Sequence, residues 1–96
     1  MSRVPPGSLK CVIAWSERRN LCSLVFDGVA ARTGEEQLRR LGDESFAVYT
    51  TASSSEIRDW AAEMISSDES VLVVEFEEWS GSGSQVPREW LLARGH

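Results

Sequence analysis

Glu75, Glu77 and Glu78 close an apolar run, VLVVEFEEW, that ends in Trp79. On a strand, Glu75 and Glu77 share a face with ~6.6 Å between them at the backbone, a spacing that invites comparison with the paired carboxylates of acid–base hydrolysis. That chemistry also needs walls around a substrate, and 96 residues leave little chain to build them. Carboxylates beside an aromatic ring are better suited to binding, where the charges steer a basic partner and the ring anchors it. Glu75, Glu77, Glu78 and Trp79, with Trp90 further on, are therefore the candidate partner-binding residues. The competing structural role for Trp79 is packing against Trp90 to close the core.

Other chemistries find less support. Acyl transfer wants a nucleophile held against a base, and the sole histidine is the terminal His96. The stretch SGSGS lacks the Gly-Lys-Ser/Thr ending of a phosphate loop and the glycine spacing of a dinucleotide fingerprint, and reads as a connector. Cys11 and Cys22 cannot complete a metal site without further ligands, and are expected as reduced core thiols. No catalytic residue, no metal site and no cofactor is assigned.

Charge points the same way. Ten basic against fifteen acidic residues give a net charge of −5, which repels nucleic acid, and the Arg18-Arg19 and Arg39-Arg40 pairs are isolated. Nine of the ten basic residues are arginine, the mark of a GC-rich coding genome such as a bacterium or its phage. No stretch approaches the ~20 apolar residues that span a bilayer. The expectation is a cytoplasmic protein with no membrane and no nucleic-acid partner.

The elements that must position these residues are read from periodicity. KCVIAWSERRNLCSLVF is predicted as a hairpin with loop 17–20, placing Cys11, Ile13 and Trp15 on one face with Cys22, Leu24 and Phe26. In that register the cysteines lie ~13 Å apart along the strands, too far to bridge. A helix over 21–31 is the alternative, disfavoured by Gly28 and the β-branched residues. Thr33 with Glu36 reads as a capping box opening a short helix that Gly42 ends. A strand at 45–51, a helix at 54–66 opened by the Ser53–Glu56 capping box, and a strand at 70–79 form a βαβ unit with parallel strands. Pro87 begins a short C-terminal helix after the connector 80–85, and residues 1–8 form a flexible N-terminus.

The predicted fold class is α/β, an α+β sandwich of one domain over 1–96. Its sheet is mixed and four-stranded, the order is ββαβαβα, and two main helices pack on one face. Leu72, Val74 and Phe76 are expected under the helices, with Val71, Val73, Glu75, Glu77 and Trp79 on the other face. Both faces look apolar, so the second must be covered by the C-terminal segment, another copy or a partner. The function expected is a small acidic inhibitor of the immunity, antitoxin-like or phage anti-defence kind, binding a basic protein. The alternative is a small-ligand or regulatory domain acting as a homodimer.

Overall fold

The computed structural model describes residues 7–94 and is an α/β fold on a four-stranded sheet. Strand β1 (Ser8–Trp15) leads into helix α1 (Leu21–Thr33), followed by a single 3-10 turn (Glu35–Gln37) and β2 (Leu38–Arg40). Strand β3 (Ser45–Thr50), helix α2 (Ser54–Ala62), β4 (Ser70–Phe76) and helix α3 (Arg88–Ala93) complete the chain. The order is βαββαβα, the sheet runs β2-β3-β1-β4, and every neighbouring pair is antiparallel.

Four expectations about element type, pairing and facing are corrected, along with two element boundaries. The predicted second hairpin strand is α1: Asn20 caps it by accepting from Ser23 N, and Leu21, Cys22, Val25 and Val29 form one buried helical stripe. Gly28, which argued against this helix, sits where α1 meets Met64, and a Cβ there would collide with that side chain. The predicted helix after Thr33 does not form. Thr33 is the last residue of α1, its hydroxyl donates to Val29 O, and Gly34 at φ +102° ends the helix. Leu38 then enters β2.

The third correction concerns pairing. β3 and β4 run in the same direction but do not touch as neighbours, because β1 lies between them and pairs antiparallel with both. The last concerns facing. Val71 and Val73 pair with Ala14 and Val12 and join the helix-side core, while Leu72 and Val74 lie on the opposite face. β4 also ends at Phe76 rather than residue 79, and α2 ends at Ala62.

Helices α1 and α2 cover one face. Their core includes Val12, Leu21, Val25, Phe46, Val48 and Ile57, all buried, with Phe26 edge-on to Phe46 at 5.2 Å between ring centres. The capping box of α2 forms as the sequence predicts: Ser53 Oγ accepts from Glu56 N at 3.1 Å, and Glu56 accepts from Ser53 N at 3.0 Å. The opposite face carries a second cluster of Leu9, Ala47, Trp90 and Leu91, with Tyr49, Phe76 and Trp79 against it. The expected flexible segment 1–8 falls mostly on residues outside those described, and Ser8 already belongs to β1.

Candidate interaction surface

On the face away from α1 and α2, strict alternation aligns Leu9, Cys11, Ile13 and Trp15 of β1 with Phe76, Val74, Leu72 and Ser70 of β4. Helix α3 folds over one end of this face. Trp90 and Leu91 bury there, and the Trp90 indole donates to Glu36 O at 3.1 Å. The Arg94 guanidinium lies 4.5 Å from the Trp90 ring and donates to the same carbonyl at 2.6 Å. The other end stays open: Trp15 is 39% exposed, Leu72 49% and Val74 42%. One face is thus half roofed and half bare.

The five candidate residues are not brought together on this surface. Glu75 lies on the helix side, half exposed, where Lys10 Nζ stands 3.7 Å from its carboxylate and Ser8 donates to it at 3.2 Å. Lys10, the only lysine, is buried and donates to Ser8 Oγ at 2.6 Å and Thr50 O at 3.0 Å. Glu77 and Glu78 are exposed just past the strand. Trp79 is partly buried in the cluster that holds Trp90, and its Nε1 is buried without an acceptor. Trp90 is 8% exposed. All three carboxylates therefore remain at the surface, Glu75 on the helix side and Glu77 and Glu78 past the strand, while both rings serve the roof over the sheet.

Trp15, Leu72 and Val74 are not among the binding residues expected from the sequence. The available signal was the apolar content of both sheet faces, since one short C-terminal helix cannot roof a whole face. A cavity of about 410 Å³ adjoins the roof, lined by Leu41, Ala47, Phe76, Trp79 and Leu91 among others. It is apolar at its base, and the unpartnered Trp79 N–H is sealed away from solvent.

The remaining chemistry is quiet. Burial pushes both the Cys11 and Cys22 thiols above the ordinary cysteine range, so neither is a ready thiolate at neutral pH. Both are free cysteines, on β1 and α1 respectively. Among the described residues no group of three or more His, Cys, Asp or Glu side chains is placed to hold a metal ion, and no helix is long and apolar enough to cross a membrane. His96 lies outside the described residues.

No family model, curated protein or solved structure matches the chain.

Proposed function

We propose that this chain is a small cytoplasmic interaction module, an inhibitor of the immunity, antitoxin-like or anti-defence kind, that docks a basic protein on the open half of its sheet. The observation that carries the reading is the exposure of Trp15, Leu72 and Val74 side by side on a face whose other half is roofed. Large apolar side chains grouped on a surface rather than scattered mark interaction sites, and tryptophan is among the residues that carry most binding energy. Glu77 and Glu78 lie three and four residues beyond Val74, roughly 10–13 Å along an extended chain. They add exposed negative charge beside an apolar centre, and the net charge of −5 extends the same sign over the whole protein. A partner with an apolar patch rimmed by Arg or Lys meets both features.

The experiment is capture of partners from the native host followed by association kinetics. A single stoichiometric basic protein is the expected result. Changing Glu77 and Glu78 together to Gln should slow its association and flatten the salt dependence, with thermal unfolding unchanged, because rim charges act mainly on the on-rate. An association rate that is the same for both proteins at every salt concentration would remove the electrostatic half of the proposal.

A further inference from the structure

The open patch borders an open edge. β4 is an outer strand of the sheet, seven residues long; its VLVV run carries no proline and no lysine, and the strand's one helix-side charge, Glu75, stands 3.7 Å from Lys10 Nζ. Proline, lysine and unpaired inward charge are the devices by which edge strands normally avoid pairing with another chain. The other outer strand, β2, is only three residues long.

We propose that a second copy of this chain pairs with β4 in antiparallel fashion about a two-fold axis at Val73. In that register Leu72 of each copy stands opposite Val74 of the other, and Val73 stands opposite its own mate. The choice of axis follows from charge and alternation. Centring on Val74 would bring the two Glu75 carboxylates to ~7 Å along the strands, and centring on Leu72 would set Glu75 opposite Glu69. Centring on Val73 sets Glu75 opposite Val71, and the two Glu75 side chains then lie ~13 Å apart, beyond the ~8 Å screening length of physiological salt. The same register sets Glu69 opposite Glu77, but both lie outside β4 and Glu69 is held by Arg19 at 2.6 Å, so no carboxylates face each other within the paired strands.

Area supplies the second argument. The exposed parts of Trp15, Leu72 and Val74 amount to a few hundred Å², roughly a third of the ~800 Å² that one side of a standard interface buries. One copy alone offers too little. Pairing through β4 joins the two patches across the axis into one apolar floor on a continuous eight-stranded sheet, with the α3 roof of each copy at its two ends. The docking surface proposed above is then built by two chains, and this inference rests on that reading only for its use, not for its geometry.

Light scattering and amide hydrogen exchange on the full chain test it. The wild-type protein should be a dimer at ~100 μM, with β4 amides whose protection falls on dilution. Leu72→Lys with Val74→Lys should be monomeric and folded, since four cations would meet across the axis. Leu72→Lys with Val74→Glu should dimerise, since each new lysine then faces a new glutamate of the other copy. A wild-type monomer, a dimer with unprotected β4 amides, or equal behaviour of the two double variants overturns the pairing. A monomer that still captures a basic partner defeats the pairing and leaves the docking surface standing; a dimer that captures nothing does the reverse.

Discussion

Trp90→Ala is expected to destabilise the protein by about 3–5 kcal/mol, the range for deleting a large buried aromatic side chain. The ring is 8% exposed, packs with Leu9 and Ala47, donates to Glu36 O and lies under Arg94. Its removal opens a cavity between α3 and the sheet and takes away the donor that ties α3 to the turn before β2. The loss should appear as a lower denaturant midpoint, measured by circular dichroism. The variant should also expose the roofed half of the face and bind more hydrophobic dye while still folded. A midpoint within about 0.5 kcal/mol of wild type, the usual scatter of surface substitutions, would show that α3 does not hold the roof.

Acid should weaken the fold through Glu69. Its side chain is buried, both oxygens accept from Arg19 at 2.6 Å, and Ser66 N donates at 2.8 Å. The Arg19 hydrogen bonds, reinforced by the Ser66 amide, hold its carboxyl at about 2, below the ordinary 4.5. The pair ties the loop after β1 to the turn before β4, where Arg18 also meets Asp68 at 3.0 Å. Because the folded pKa lies below the unfolded one, the stabilisation is fully present above pH 4.5 and is lost as pH falls towards 2: in that window the unfolded chain takes up the proton and the folded chain resists it. Unfolding temperatures measured from about pH 7 to about pH 2.5 should place Glu69→Gln below wild type at neutral pH. The gap should stay level down to about pH 5 and shrink below it. A gap that stays constant over the whole range would mean that this carboxylate is not held in its charged form by the fold.

What the sequence revealed follows the range of the interactions involved. The Ser53–Glu56 box was legible because both of its hydrogen bonds close within three residues. The same pattern at Thr33 and Glu36 misled, since Thr33 is already inside α1 and its hydroxyl is bonded to Val29 O. Cys22, Leu24 and Phe26 fit a two-residue period while Leu21, Cys22, Val25 and Val29 fit a helical one, so periodicity alone could not decide 21–33. Asn20 at the cap was the local clue. The alternation of β4 was clear, but both of its faces are aliphatic, and the side that meets the helices is fixed by pairing with β1 more than fifty residues away. The exposure of Glu77 and Glu78 followed from charge; the half-burial of Trp79 depends on the loop after β4 folding back towards α3, a contact no local pattern encodes.

The central claim is that Leu72 and Val74 serve binding more than folding. Their exposure of 49% and 42% means that only about half of the ~1.5–3 kcal/mol of a fully buried aliphatic side chain is lost at each position when they are replaced. The direct measurement compares the wild-type chain with the Leu72→Ser, Val74→Ser double variant for unfolding temperature and for the amount of stoichiometric partner retained from host extract. The expected result is a variant that is still folded, with a lowered unfolding temperature, together with at least a tenfold loss of partner. Retention of the same partner at wild-type level by a folded variant, or unfolding of the variant, would contradict it.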